Sequence, residues 1–490
     1  MMTYQIQDYS WRRNRPACRA HPIRTLAVGL CGAALVACSD LGSPLPAGTQ
    51  DPATLRTEDG ALALYRGVVL DFESGANSAV SQGLFYSALI DAGVLSDEFE
   101  SPILGGPSLY YNGIGGRDVE ILSVDARQLT EYGNSSTQLS ASMSYEPLQK
   151  IRGAASIAIG ALNQYAPNAS PALRGHAYAI AGYAELLLAD LFCSGVPLST
   201  LNFERDYTYR AGSTTAEIYQ HALALFDTAE SLSSDSARIQ NLARVGRGRA
   251  LLNLGRYVEA KAAVRDIPNG FAYRFAVDFG STSLLAMSRQ MSVADGVGRN
   301  GLPYRSSNDP RTKSVSNGNN TFGRPRYFPE KYAAMGISLV TIADGIEARL
   351  TEAEADLASG SASWITTLNA LRTDGTYTTS PNPIDPSLTD TTWNAGIGGV
   401  QGLRPIVAPS SDSAKVTVLF MERAAWLFAT AHRQGDLRRL VRQYQRPQET
   451  VYPTGAYGPL FDLYGTDVNF PVPATERLNP RFTGCFDREA

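Results

Sequence analysis

Apolar residues repeat with the period of an α-helix over much of the chain after residue 144. These helical patterns cover residues 145–165, 171–192, 214–232, 345–372 and 413–444. The third has a single apolar stripe, spaced by 4, 3, 4 and 3 positions, made of Ile218, Ala222, Leu225, Ala229 and Leu232. Thr214 and Glu217 have the spacing of a capping box at its start. Short connections between such helices predict antiparallel helical hairpins.

Residues 243–264 have the pattern of one tetratricopeptide unit, and the other hairpins match it less closely. The positions that carry the match are Gly248, Leu251, Gly255, Tyr257, Ala260 and Val264. Small residues let two helices approach closely, and the Gly-Arg-Tyr turn at 255–257 reverses the chain. We therefore predict a mainly α fold whose scaffold covers residues 145–268 and 345–444.

Two long segments, residues 270–340 and 374–410, lack this periodicity. They are rich in Gly, Ser, Thr, Asn and Pro, with scattered aromatic residues. Loops of this length inside a compact domain are usually functional. We predict that they form a loop-rich half carried by the helical scaffold.

The N-terminus has a short apolar run that ends at a cysteine. Residues 25–37 are uncharged, and five arginines precede them. The run is shorter than the roughly 20 residues that span a bilayer, so it is typical of a secretory signal. Leu35-Val36-Ala37-Cys38 resembles the bacterial lipobox, which implies cleavage before Cys38 and acylation of that residue. The alternative is an ordinary signal peptide with a cysteine there by chance.

These features divide the chain into a lipoprotein signal peptide at 1–37, a flexible tether at 38–56 and one domain at 57–490. Residues 39–56 are rich in Ser, Gly, Pro and Asp, and a helical pattern begins near Thr57. The whole chain carries a net charge of −4, and residues 1–37 carry five Arg and one Asp, so the mature part is at −8. This acidic balance argues against nucleic-acid binding.

Two cysteines remain once the signal and the lipidated residue are set aside. They are Cys193 and Cys485, an even pair in a secreted chain. We predict that they form a disulfide bond, with two buried thiols as the alternative.

Familiar catalytic motifs do not occur in the sequence. His176, His221 and His432 are far apart, and no HExxH, CxxC or GxSxG is present. Residues 105–116 are glycine-rich but lack the Lys-Ser/Thr of a phosphate loop. The adjacent Asp97 and Glu98 are expected to begin a solvated loop or to bind a cation, with a glycosidase pair as the weaker alternative. We predict a binding protein that is not an enzyme and has no cofactor, and a structural cation is left open.

Four stretches in a fixed order resemble one family, the SusD/RagB outer-membrane lipoproteins. They are residues 176–199; 308–311 with 329–332; 346–355 with 368–372; and 421–440 with 470–480. The resemblance implies four tetratricopeptide-like helix pairs that support an irregular ligand-binding half. It also implies a lipid-anchored protein at the cell exterior that binds nutrient oligomers, mostly oligosaccharides, for a SusC-like TonB-dependent transporter. A peptide-binding lid of the RagB type is the alternative.

The shared motifs themselves are expected to be structural. Glu422, Arg423, Arg433 and Asp436 fall on one helix and its following turn, where we expect ion pairs across the scaffold. The cysteine pair departs from the family pattern and indicates an additional link in this chain.

The ligand site is expected on loops that offer flat aromatic rings beside amides and charged groups, because sugars present apolar C–H faces and many hydroxyls. The candidates come from residues 108–118, 302–311 and a later loop, and they are Tyr110, Tyr111, Asn112, Arg117, Tyr304 and Trp393. The mature part keeps only three tryptophans, Trp364, Trp393 and Trp426, so the site must rely on tyrosine. This favours a small oligosaccharide or a peptide over a polysaccharide.

Overall fold

A computed structural model describes most of the chain after residue 51. The described residues are 52–75, 84–101, 123–129, 144–204, 206–278, 292–319, 325–332, 337–373, 376–381, 389–394, 403–457 and 462–489. The chain divides into two units between Asp51 and Pro52, and all described residues belong to the second. Cys38 and the predicted signal peptide therefore lie outside the described residues.

Helices make up most of the regular structure. Their bounds are α1 Pro52–Leu55, α2 Glu58–Glu73, α3 Leu84–Leu95, α4 Tyr145–Tyr165, α5 Pro171–Leu191, α6 Thr215–Leu232, α7 Ala237–Asn253, α8 Tyr257–Val264, α9 Gly345–Ala358, α10 Ser363–Thr373, α11 Asp412–Trp426 and α12 Arg433–Arg442. Each helical pattern found in the sequence is confirmed, with ends within a few residues. The helix α3 was not predicted, and α1 lies inside the segment that was predicted to be a flexible tether.

Local signals explain where these helices begin. Thr214 caps α6 by accepting a hydrogen bond from the backbone N–H of Glu217, whose side chain accepts from the N–H of Thr214, so the predicted capping box is present. Ser170 caps α5, and Pro171 occupies its first turn, where a missing N–H costs nothing. Asp344 accepts from the N–H of Glu347 at the start of α9.

Neighbouring helices pack in sequence, α4 on α5, α5 on α6, α6 on α7 and α7 on α8. Glycines allow the closest approach. A Cβ on Gly246 would lie 2.4 Å from the ring of Phe226, and one on Gly182 would lie 2.8 Å from it. Gly255 has a φ of +70°, which glycine adopts without strain, and it ends α7 before the reversal into α8. The predicted tetratricopeptide unit at 243–264 is thus a helical hairpin that begins earlier, at Ala237.

The two segments predicted as loops contain β-structure. A three-stranded sheet has the order β1-β7-β11, from Ser74–Gly75, Ala272–Asp278 and Ile337–Asp344. The pairs are β2 Phe99–Glu100 with β8 Ser292–Val293, β3 Val196–Pro197 with β6 Gly212–Ser213, β4 Thr200–Leu201 with β5 Tyr207–Thr208, β9 Ser314–Asn319 with β10 Pro325–Pro329, and β12 Thr376–Pro381 with β13 Thr389–Asn394. The strand β7 pairs parallel to β1 and antiparallel to β11. Its partners are far apart in sequence, so local patterns could not reveal the sheet.

The buried apolar residues form one large cluster and a second one. The large cluster joins α2 to α8 with β7 and β11, and the second joins α9 to α12 with residues near the C-terminus. None of the helices in the described ranges is both long and apolar enough to cross a membrane.

Candidate ligand-binding site

Most of the residues predicted to bind ligand lie outside the described residues. Tyr110, Tyr111, Asn112 and Arg117 belong to the segment 102–122, which falls between two described ranges. Trp393 lies in β13, and its backbone pairs with that of Tyr377 in β12, but its side chain is also outside the description. The structure therefore shows the base of the predicted site and not those side chains.

Tyr304 is not the exposed platform that the sequence predicts. Its side chain is only 4% exposed, and its ring stacks on Phe428 with 5.0 Å between the centroids. Its hydroxyl lies 3.5 Å from Asp97 Oδ1. Tyr304 thus packs its loop against the scaffold, because a large aromatic ring gains more from burial than from exposure.

Asp97 and Glu98 do not begin a solvated loop, because both are fully buried. Arg433 donates to both carboxylate oxygens of Asp97, at 2.6 and 2.9 Å. Glu98 Oε1 accepts from the N–H of Ala429 at 3.0 Å, and burial raises the pKa of this carboxyl to about 8. Burial also lowers the pKa of nearby Lys331 to about 8. This pair of acids therefore anchors the loop between α11 and α12.

The charged residues of the shared motif form ion pairs, as predicted: Arg423 and Asp436 pair with each other, and Glu422 and Arg433 pair with distant segments. Arg423 donates to Asp436 at 2.8 and 2.9 Å. Glu422 accepts from Arg311 and from Arg372, both at 2.6 Å. Burial raises the pKa of the Asp436 carboxyl, but Arg423 and Arg439 lower it by more. The pKa therefore lies well below its usual range. This network joins the loop-rich half to the helices.

Ser101 and Asp125 lie on either side of the segment 102–122 in sequence, and they are in contact in the structure. The N–H of Ser101 donates to Asp125 Oδ2 at 2.6 Å, which ties the two ends of the segment together. The hydroxyl of Tyr457 donates to the same oxygen at 3.0 Å. Burial, with a smaller contribution from the charge of neighbouring Glu100, raises the pKa of Asp125 to about 8, although the hydrogen bond from Ser101 lowers it. Asp125 therefore fixes the base of the predicted ligand loop next to an aromatic ring.

A guanidinium and further tyrosines surround this base. Arg305 lies 4.0 Å above the ring of Tyr327, and its Nη2 lies 3.6 Å from Glu100 Oε1. In the part of the chain that the structure describes, the Arg305 Nε has no hydrogen-bond partner. Tyr464 packs edge-on against Tyr457, with 4.9 Å between the ring centroids.

These six residues form what we call the tyrosine cluster: Glu100, Asp125, Arg305, Tyr327, Tyr457 and Tyr464. All except the buried Asp125 are partly exposed. Burial and the charges of Asp125 and Glu100 raise the pKa of Tyr464, so its hydroxyl stays protonated and able to donate. Rings beside planar charged groups can bind a sugar through its C–H face and its hydroxyls together.

Sequence analysis missed this cluster, although Arg305 lies within the candidate range 302–311. The tyrosines come from two distant segments, around residue 327 and at 457–464, and only tertiary contacts bring them together. One local signal was available, because Tyr457 and Tyr464 lie close together in a Gly- and Pro-containing segment, 455–464, outside the helical patterns. Within the described ranges, no group of three or more His, Cys, Asp or Glu has an arrangement that could hold a metal ion.

Comparison with solved structures identifies the fold. A SusD-like carbohydrate binding protein from Bacteroides vulgatus ATCC 8482 is 12% identical, with a TM-score of 0.57 over 87% of this chain and 97% of that chain. A SusD superfamily protein from Bacteroides fragilis is 14% identical, with a TM-score of 0.59 over 87% and 99%. A SusD superfamily protein from Bacteroides thetaiotaomicron VPI-5482 is 13% identical, with a TM-score of 0.54 over 89% and 99%.

No protein-family model and no curated protein sequence matches this chain. The fold is nevertheless mainly α and SusD-like over almost the whole described length, as the sequence resemblance predicts.

Proposed function

We propose that this protein is a lipid-anchored, surface-exposed outer-membrane protein that binds nutrient oligosaccharides and delivers them to a SusC-like TonB-dependent transporter. The observation that carries the proposal is the SusD-like fold behind an N-terminal lipobox at Cys38. Some neighbours in structure are described as carbohydrate-binding proteins, which supports sugars as the first ligand class to test. The protein binds its ligand and does not transform it.

The tyrosine cluster is the proposed base of the ligand site. It contains Asp125, which accepts from the N–H of Ser101, and the sequence segment with Tyr110 and Tyr111 lies between these two residues. The rings supply apolar faces, and Arg305 and Glu100 supply a donor and an acceptor for hydroxyl groups.

A glycan and peptide array with the purified protein tests the ligand class. Saturable glycan binding without release of reducing ends is the expected result. Peptide binding alone would favour a RagB-type importer, and release of reducing ends would favour a glycosidase.

Variants then locate the site. We expect each of four variants to bind the identified ligand more weakly: Tyr110→Ala, Tyr111→Ala, Tyr327→Ala and Tyr464→Ala. A stacked aromatic ring contributes about 1 kcal/mol or more to the binding free energy. Tyr207→Ala is a matched control, since Tyr207 is an exposed tyrosine on the separate β4–β5 hairpin. If all four variants bind as tightly as wild type, the site assignment is wrong.

The partner has its own test. A SusC-like transporter should be encoded beside this protein and should co-purify with it. Its absence from the gene neighbourhood would count against import more strongly than any result on ligand binding.

A further inference from the structure

A cleft of about 360 Å³ lies between the first turn of α6, the helix α12 and the C-terminal tail. Its volume falls within the range of small-molecule sites. It shares no residue with the tyrosine cluster, so a ligand bound here is separate from the nutrient site proposed above. Three arginines and one carboxylate line it, namely Arg438, Arg439, Arg442 and Asp487.

Arg438 differs from the other arginines of α12. Arg433, Arg439 and Arg442 each form an ion pair with a carboxylate at 2.9 Å or less. No carboxylate of the described residues forms such a pair with Arg438, although its side chain is only 7% exposed. Buried cations are nearly always paired, because removing a charge from water is costly.

The contacts of Arg438 hold it in place at the cleft. Its Nη1 donates to the carbonyls of Ala189, Asp190 and Phe192 at the end of α5, at 2.5, 3.1 and 3.2 Å. Its Nη2 has one long contact, 3.4 Å to Thr215 Oγ1, and Thr215 also lines the cleft. Asp190 is a nearby acid, but its Oδ1 accepts from the hydroxyl of Tyr219 and the amide of Asn253, at 2.5 and 3.0 Å, and not from Arg438. An anion bound in the cleft would give Arg438 the negatively charged partner that the described residues do not supply.

An aromatic residue beside the disulfide bond also lines the cleft. Phe486 lines the cleft and is 52% exposed. Its N–H donates to the carbonyl of Ser194 at 2.7 Å, and the N–H of Ser194 donates to the carbonyl of Asp487 at 3.2 Å. Both hydrogen bonds lie directly beside the Cys193–Cys485 disulfide. The disulfide therefore holds the backbone beside an apolar ring that lines the same cleft as a buried guanidinium.

We propose that this cleft binds a small carboxylate that carries a ring. The carboxylate accepts from the guanidinium of Arg438, whose Nη1 already donates to three carbonyls, so Nη2 is the terminal nitrogen left to donate to it. The ring packs on Phe486, and the hydroxyl of Thr215 lies beside the carboxylate. Two sources share this chemistry, an acidic sugar and an aromatic acid.

The test compares ligands that differ in one group. D-galacturonate and D-galactose have the same ring and differ in the carboxylate, and benzoate has the carboxylate without sugar hydroxyls. Calorimetric titration of the purified protein should show saturable binding of galacturonate or benzoate, with galactose weaker by about tenfold or more. Binding of galacturonate but not benzoate would identify the ligand as an acidic sugar. Binding of both acids would identify the ligand class as ring-bearing carboxylates in general.

Variants separate this cleft from the nutrient site. Arg438→Met should lower the affinity for the acid by about tenfold. Phe486→Ala, which changes an exposed side chain, should lower it severalfold. Arg265→Gln is the matched control, because Arg265 is an exposed arginine outside the cleft. Equal binding of galactose and galacturonate, no binding of either acid, or loss of binding in Tyr327→Ala but not in Phe486→Ala would each overturn the proposal.

Discussion

Asp97 and Arg433 lie 336 positions apart in the chain, and the guanidinium of Arg433 donates to both oxygens of the Asp97 carboxylate at 2.6 and 2.9 Å. Both side chains are buried. Asp97 also accepts from the N–H of Leu302 at 2.9 Å, so a single carboxylate joins α12 to the segment after β8. The pair connects the helical scaffold to the half that carries the tyrosine cluster.

Breaking this pair from one side should be strongly destabilising. Arg433→Met leaves a buried carboxylate without its cation, and we expect a loss of about 3–5 kcal/mol in the free energy of unfolding. Urea unfolding followed by circular dichroism measures it. Arg56→Gln, which removes an exposed pair with Glu204, is the control and should change stability by less than about 1 kcal/mol. A similar small change in Arg433→Met would contradict this interpretation.

The disulfide bond should stabilise the fold by restricting the unfolded chain. Cys193 and Cys485 are 292 positions apart, and closing so long a loop contributes at most about 6 kcal/mol in the chain-entropy model. We expect Cys193→Ala/Cys485→Ala to unfold at a lower urea concentration than wild type. Thiol labelling of the unfolded, unreduced mature protein checks the bond itself. Two reactive thiols per chain would show that it is not formed.

The proposed lipid anchor depends on one residue. Cys38→Ser should leave the protein unacylated and released from the membrane fraction, because stable anchoring needs more than one acyl chain and the cysteine carries them. Membrane fractionation and mass spectrometry of the N-terminus measure the two effects. Cys31→Ser, inside the apolar run, is the matched control and should still be acylated. Equal membrane retention of Cys38→Ser and wild type would exclude the lipobox.

Asp91 should make stability fall as the pH rises. Burial raises the pKa of this carboxyl to about 7, while Ser144 donates to it through its N–H and its hydroxyl at 3.1 and 2.5 Å. The folded state therefore holds a proton that the unfolded state, with a pKa near about 4, has already released. The stability that the protonated Asp91 contributes is fully present below about pH 4 and is lost as the pH rises from about 4 to about 7.

The variant Asp91→Asn keeps the hydrogen-bond acceptor and removes the titration. Its free energy of unfolding should fall less steeply than that of wild type between pH 5 and 7, by up to about 1.4 kcal/mol per pH unit. Asp71→Asn, at an exposed position, should leave the slope unchanged. Identical slopes for Asp91→Asn and wild type would mean that the buried carboxyl is ionised in the folded protein.

Local signals in the sequence were enough to predict the helices. The apolar stripe of α6 and its capping box at Thr214 and Glu217 depend on residues within a few positions of each other, and the structure has both. The same holds for the turn at Gly255, where a left-handed backbone favours glycine. A resemblance spread over four stretches predicted the SusD-like fold, which the solved structures confirm.

Contacts between distant segments decided the rest. The segment predicted as a loop at 270–340 proved to contain β7 and the start of β11, which pair with each other and, through β7, with the distant β1. Tyr304 has the composition of a ligand platform, yet burial against Phe428 takes its ring out of reach. Asp97 and Glu98 look like solvated acids in sequence, and only the positions of Arg433 and Ala429 make them buried anchors.

The sequence by itself determined the helical scaffold with its caps and turns, because these depend on residues a few positions apart. It also predicted that the two remaining cysteines pair, because that depends on residue type and number. Only the tertiary structure decided which aromatic rings remain partly exposed and which charges face each other. Burial and electrostatic pairing depend on groups that lie hundreds of residues apart, as Arg127 shows when it donates to the carbonyls of Pro453 and Asp467. For that reason the tyrosine cluster and the cleft at Arg438 could be located only in the folded chain.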